Sequence, residues 1–203
     1  MIDDLPFSQA CENNKQPILE ALARHLTEPA AVLEIAGGTG QHAVHFAAAL
    51  PHLHWQTTDI PDNVSTLAQR PAAANLANLP APLALDVNES QWPVEATDVV
   101  YSANCLHIIS VAEVEHFMAG VGRCLQQGGL LIVYGPFKYS GEFTSPSNGD
   151  FDGWLKARDP DSGVRDFEWV NKLAEQQGLV LVEDIDMPAN NQLLVWKRVT
   201  LPG

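Results

Sequence analysis

Cysteine is scarce. Cys11, Cys105 and Cys124 are an odd number with no CxxC pair, which excludes a disulfide framework and points to a reducing compartment. Basic residues are also few. Eleven Lys and Arg stand against 25 Asp and Glu, a formal net charge of −14. So acidic a chain repels phosphate backbones. Lys138, Lys156, Arg158 and Arg165 are scattered and form no basic patch. Neither nucleic acid nor an anionic membrane surface is expected as a partner. No apolar run reaches the roughly 18–20 residues of a membrane span. The opening Met1-Ile-Asp-Asp-Leu-Pro6 has neither a basic n-region nor an apolar h-region, so a cytoplasmic location is expected. Internal repeats and low-complexity segments are absent.

What is present is a core-forming composition, 46% hydrophobic over 203 residues, enough for one α/β domain. The most informative run is Val32-Leu-Glu-Ile-Ala-Gly-Gly-Thr-Gly40, followed by the helical spacing of Gln41–Leu50. It reads as a buried strand, a glycine turn and a helix. At such a turn backbone N–H groups approach a ligand closely and the helix N-terminus favours negative charge.

The rest alternates. A helix precedes the turn over 17–26. Strands are expected at 31–36, 52–58, 83–87, 98–102 and 128–136, with a weak alanine-rich helix over 62–79, broken by Pro71 and Pro80, and a firmer one over 111–125. A helix over 166–177 ends at Gly178, and two strands close the chain at 179–185 and 192–198. Strand–helix alternation predicts an α/β, Rossmann-like, doubly wound, seven-stranded mostly parallel sheet. The last two strands are too close for a crossover and form a C-terminal antiparallel hairpin. The pattern lapses over 136–165, yet Phe137, Tyr139, Phe143, Phe151 and Trp154 are too many aromatics for a solvated linker. That stretch is expected to be a partly helical lid-like insertion.

The ligand follows from three acids. Gly38, Gly40 and Ala43 fit GxGxxG/A, and Asp59 lies 19 residues past Gly40, where a ribose hydroxyl acceptor belongs. That pair suits NAD and S-adenosylmethionine equally. Glu34 inside the first strand, costly unless hydrogen-bonded, can accept from the turn and lie near a cofactor ammonium. Asp86, with Val87, ends the third strand and can accept from an adenine amino group; the plainer reading of Asp86 is a helix N-cap. These features favour S-adenosylmethionine, with Gly37, Gly38 and Gly40 marking its place.

Glu34-Ile-Ala-Gly-Gly-Thr-Gly40, Asp59, Leu85-Asp-Val87 and Gly128-Gly-Leu-Leu131 together resemble the motif series of class I S-adenosylmethionine-dependent methyltransferases, from Val32 to Arg198. Tyr134-Gly-Pro-Phe137, Ser147-Asn148, Phe151-Asp152, Gly163-Val-Arg-Asp166 and Met187-Pro-Ala-Asn-Asn191 resemble, more narrowly, the methyltransferase-like 26 group, over nearly the whole chain. The resemblance implies a single methyltransferase domain over 1–203. It also implies S-adenosylmethionine as cofactor, S-adenosylhomocysteine as product and a small-molecule substrate. That group opens with Arg-Asn before a Lys or Arg; here Glu12-Asn-Asn-Lys15 places Asn13 at the arginine, leaving Lys15 as a point charge for the cofactor carboxylate. Asn104 follows strand four at the cofactor edge and lacks the prolines of an Asp/Asn-Pro-Pro-aromatic signature.

In this fold His107 faces the cofactor methyl, as a general base or as a packed core histidine. Cys105 reads as a small core residue rather than a nucleophile. His42, His45, His52 and His54 lack metal-ligand spacing, so no metal is expected. Tyr134, Asn148, Arg165, Asn190 and Asn191 are candidate substrate contacts, Arg165 as an anion clamp or a plain surface pair with Asp166, and the Asn pair as ligands or as self-bonded turn residues. The favoured activity is in-line methyl transfer to an O, N or S nucleophile by a monomer or homodimer. An NAD-dependent oxidoreductase and a non-catalytic cofactor-binding module are the alternatives.

Overall fold

The computed structural model describes residues 5–200; the readings made on residues 1–4 and 201–203 lie outside the described residues. In chain order the elements are α1 (Gln9–His25), β1 (Ala30–Ile35), α2 (Gln41–Ala49), β2 (Leu53–Asp59), α3 (Pro61–Leu67), α4 (Gln69–Ala74), β3 (Leu83–Ala84), β4 (Thr97–Ala103), α5 (Val111–Cys124) and β5 (Leu125–Gly135). There follow β6 (Phe137–Tyr139), β7 (Glu142–Phe143), α6 (Pro146–Arg158), β8 (Arg165–Asp166), α7 (Phe167–Gln176), β9 (Leu179–Met187), a 3₁₀ turn (Pro188–Asn190) and β10 (Asn191–Arg198).

The expected seven-stranded sheet is present, ordered β3-β2-β1-β4-β5-β10-β9. β1 pairs in parallel with β2 and β4, while β10 runs antiparallel to β5 and β9. Both faces are covered, so strand residues alternate between two cores. Val32, Trp55, Tyr101 and Val195 pack under α1 and α2 with Ile18, Leu22 and Phe46. Leu33, Val100, Leu131 and Trp196 pack under α5 and α7 with Phe117, Met118 and Val170. The chain leaves β1 outward to β2 and β3, then returns to β4 on the other side. The crevice at the carboxyl ends of β1 and β4 is therefore the ligand position of an open α/β sheet.

Four expectations on local structure change. The first helix begins at Gln9, not Pro17: Ser8 caps it by accepting from the Cys11 N–H at 3.4 Å, and Pro17 is carried inside. Pro71 does not break a helix but sits in the first turn of α4, where its missing N–H costs little. The third strand keeps only Leu83–Ala84 in the ladder, followed by one more bond from the Leu85 N–H to the Asp59 carbonyl. The helix expected within the 136–165 stretch is present, but strands join it. The stretch holds a small sheet, β7-β6-β8, and the thirteen-residue α6. α6 is hard to read because Gly149 and Gly153 interrupt it, yet Ser145 caps it and Pro146 opens it.

Candidate functional site

Two cavities meet at that crevice and share Asn104. The first, about 550 Å³, lies over the end of β1 and the loops after β2, β3 and β4, a volume within the roughly 300–1,000 Å³ of small-molecule sites. Its floor is the turn after β1. Ala36 and Gly38 line it at φ 61° and 57°, and a Cβ on Gly38 would meet nothing within 4 Å. The turn therefore faces open space. Asp59, buried at the end of β2, fixes it: Oδ2 accepts from the Gly38 N–H at 2.8 Å, and Oδ1 accepts from the Ile60 N–H at 2.8 Å and from Asn63 Nδ2 at 3.0 Å. Each carboxylate oxygen has two acceptor sites, so Oδ2 retains capacity toward the cavity. Leu85, Val87, Ile108 and Ile109 give an apolar slot, and Asp86 stands at its edge. Asp86 accepts from the Asn88 N–H at 2.9 Å, an Asx-type turn rather than a helix cap. A slot for a flat ring, an acid for vicinal hydroxyls and a second acid for an exocyclic amine fit an adenosyl group.

Four residues expected on the cofactor, Glu34, Lys15, Gly37 and Gly40, do not line this cavity. Glu34 points from β1 to the α1/α2 side of the sheet, where Oε2 accepts from Trp55 Nε1 at 3.0 Å. It does not accept from the glycine turn. Burial pushes its carboxyl up to about 7, against the bond from Trp55. Lys15 pairs with Glu12 at 2.5 Å and lines neither cavity; at i and i+3 on one helix face the two are natural neighbours. Gly37 is a packing glycine. A Cβ there would lie 2.2 Å from Thr57 Oγ1, so strand β2 can approach only a bare backbone. Gly40, at φ 72°, opens α2 against Pro71 and Leu67 and shapes the turn from behind.

The second cavity, about 340 Å³, is lined from α1, the ends of β4 and β5, α6 and the Pro188–Asn191 segment. Tyr134, Asn104, His107, Asn148 and Asn191 all reach it. His107 is buried, its ring 5.4 Å from Phe151 in an edge-to-face contact. Burial, then the positive charge of Arg165, pull its pKa down to about 4, so the imidazole is neutral near pH 7. Asn148 donates to Thr144 Oγ1 and to the Asn190 carbonyl, both at 2.9 Å, tying α6 to the turn before β10. Asn190 enters as that carbonyl and at φ 57°; its side chain donates to Ser147 Oγ at 3.4 Å and does not line the cavity.

Arg165 is not an anion clamp. Nε donates to the Leu106 carbonyl at 2.9 Å, and Nη2 donates to the carbonyls of Asp161, at 2.7 Å, and Ile109. Its fork is spent on backbone, pinning the 106–109 loop that carries His107. Cys105 is a core thiol whose pKa burial raises to about 12, too high for nucleophilic use. Among the described residues, no group of three or more His, Cys, Asp or Glu is placed to hold a metal ion. No helix among them is long and apolar enough to cross a membrane.

Residues 5–198 match the model of a family described as "Protein of unknown function (DUF938)". The chain belongs to the DUF938 family. This DUF938 chain is similar in fold to an O-methyltransferase family protein from Burkholderia thailandensis, at 18% identity and TM-score 0.80, covering 93% of this chain and 57% of the other. It is similar also to the S-adenosylmethionine-dependent methyltransferase SibL in its apo form, at 20% identity and TM-score 0.78 over 94% and 56%. Human N-acetylserotonin methyltransferase in complex with SAM matches at 17% identity and TM-score 0.71 over 92% and 55%. The chain thus spans a little over half the length of these proteins, and at such identities the likeness is one of fold.

Two residues of this DUF938 site escape a reading of the sequence. Asn14, on the first half of α1, is buried and lines the second cavity; the Ser8 cap that extends α1 was the available signal. Ala36 stands where the glycine turn needs a positive φ, and nothing about an alanine announces that.

Proposed function

We propose that this protein is an S-adenosylmethionine-dependent methyltransferase acting on a small molecule, with the 136–165 insertion as a lid over a single domain. The observation that carries the reading is the meeting at Asn104 of an adenosyl-shaped cavity and a separate polar chamber, both at the switch point of the sheet. Asp59 would hold the ribose hydroxyls, Asp86 the adenine edge, Val87 and its apolar neighbours the ring, and Ala36 and Gly38 the amino-acid end. When bound, the cofactor supplies a methyl group on a sulfonium. The likeness to the methyltransferase-like 26 group supports the same reading, as do the SAM-dependent neighbours. A cytoplasmic monomer or homodimer accords with the acidic, cysteine-poor composition.

His107 is the candidate base. It is neutral near pH 7 and within the chamber, free to accept the proton of an attacking hydroxyl. A base with a pKa of about 4 suffices for this, because the oxygen that loses the proton becomes strongly acidic as it gains a methyl group. The remaining contribution is positioning, which supplies roughly 7–11 kcal/mol of a barrier when geometry is held well. Arg165 holds the His107 loop, and α6 with the 188–191 turn excludes water. Calorimetry with S-adenosylhomocysteine tests the reading directly: binding in the micromolar range is expected, and no heat at millimolar ligand removes it. Binding without turnover on any acceptor would instead support a non-catalytic module.

A further inference from the structure

The described walls of the second cavity carry no Asp, Glu, Lys or Arg. In a chain with 36 such residues, that is a chemical choice. The nearby cations are spoken for. Lys15 is paired with Glu12, and Arg165 is spent on backbone carbonyls. His107 and Tyr134 are both held neutral by burial. A carboxylate, phosphate or ammonium entering here would lose water and gain no opposite charge.

The hydrogen-bonding groups are also oriented. Asn14 Oδ1 lies 2.7 Å from His42 Nε2, and His42 Nδ1 lies 3.4 Å from the Tyr101 hydroxyl. With Tyr101 donating to Nδ1, the neutral ring carries its proton on Nε2 and donates to Asn14. Asn14 Oδ1 is thereby used, and its amide nitrogen is left to donate to Tyr134 and to a guest in the cavity that Asn14 lines. Asn191 Nδ2 donates to the carbonyls of Pro188, at 3.1 Å, and Ala189, at 3.4 Å, which leaves its Oδ1 to accept. Phe151 supplies an aromatic wall.

Resting on the methyl-transfer reading above, we propose that this chamber takes an uncharged, hydroxyl-bearing ring compound. Asn14, oriented by His42, is the residue that reads a carbonyl-type acceptor on it. A site built to hydrogen-bond one group rejects analogues that leave its buried donors unpaired.

The test uses the full chain, labelled with ¹³C-histidine and saturated with S-adenosylhomocysteine, with the His107 resonance assigned through His107→Ala. Three matched probes are titrated: 4-hydroxybenzamide, 4-hydroxybenzoate and tyramine. The neutral amide is expected to shift the His107 signal, and the two charged probes to require about tenfold higher concentration or more. Equal or tighter binding of either charged probe overturns the proposal, as does silence of His107 toward all three. Asn14→Asp, and Asn14→Ala in case the aspartate variant folds poorly, are compared on 4-hydroxybenzamide and phenol. The preference for the amide is expected to drop about fivefold to tenfold. A merely structural Asn14 would weaken both probes alike and leave the ratio unmoved, which refutes its reading role. Failure of S-adenosylhomocysteine to bind the unaltered chain overturns the cofactor reading first and this inference with it.

Discussion

The two cavities that meet at Asn104 are built from different material. The larger is made of strand ends, a turn with three positive φ angles and two acids that keep acceptor capacity. The smaller is made of amides from α1, α6 and the 188–191 turn, with a phenol from β5 and a neutral imidazole from the loop after β4. Burial acts in both regions, in opposite directions on the scale. It raises Glu34, behind the larger cavity, to about 7 and lowers His107, in the smaller one, to about 4. The rule is common to both: desolvation favours the uncharged form, whichever that is. One region thus stores unfavourable charge in its support, and the other avoids charge altogether.

The sharpest way to separate the regions is to remove His107. A general base contributes about 10²–10⁴-fold, so His107→Ala, which removes the proposed base, is expected to lower kcat by that range. S-adenosylhomocysteine affinity, measured by calorimetry, should stay within about twofold, since His107 lines only the smaller cavity. A tenfold loss of cofactor affinity would show that the two cavities are not separable.

Glu34 probes the support of the larger cavity. Its folded pKa, about 7, exceeds the ordinary 4.5, so the native state binds the proton more tightly than the unfolded chain. Stability is therefore undiminished below about pH 4.5, falls as pH rises toward 7 and levels off above that. A shift of this size corresponds to about 3 kcal/mol. Glu34→Gln keeps an acceptor for Trp55 Nε1 and should be more stable than the parent by about that amount at pH 8, with little difference at pH 4.5. Urea titrations at the two pH values measure it. His42 and His107 shift the opposite way but are common to both proteins, so they cancel in the difference. A gap independent of pH would show that Glu34 is not paying for burial.

Asp59 belongs to the cavity itself. Asp59→Ala removes the proposed ribose acceptor and also frees the Gly38 N–H that Asp59 holds at 2.8 Å. Loss of about 1–3 kcal/mol in S-adenosylhomocysteine affinity is expected, read by calorimetry, with no change in the affinity of a chamber probe. Unchanged cofactor affinity would break the assignment of this cavity.

The same contrast explains what was legible in the sequence. Residues that shape the larger cavity lie at strand ends, where a short motif fixes position: Gly38, Asp59, Asp86 and Val87 all line it, and the sheet order follows from alternation and spacing. The smaller chamber is assembled from segments more than a hundred residues apart, Asn14 with Asn148 and Asn191, and no local pattern announces such a meeting. The errors have local causes too. A strand carboxylate needs a partner, which points Glu34 at the ligand, but period-two alternation puts it on the face of Val32, where Trp55 supplies that partner. Arg165 suggests an anion clamp or a surface pair with Asp166 because its true acceptors are backbone carbonyls, which leave no trace in side-chain identity.

The smallest expected effect concerns the floor of the larger cavity. Ala36 holds φ 61°, a conformation that costs an L-residue with a Cβ roughly 1–2 kcal/mol. Glycine would relieve that cost but would also give the unfolded chain more freedom, which offsets about 0.5–1 kcal/mol. Ala36→Gly is therefore expected to stabilise the protein by about 0.5–1 kcal/mol, seen as a higher urea midpoint at unchanged slope. No such gain is expected from glycine at Ala103, one residue before the turn at Asn104, where the backbone is still strand and a side chain costs nothing. If Ala36→Gly lowers the midpoint, the alanine methyl contributes packing at the cavity floor that outweighs its backbone strain, and the larger cavity is then shaped by side chains as the smaller one is.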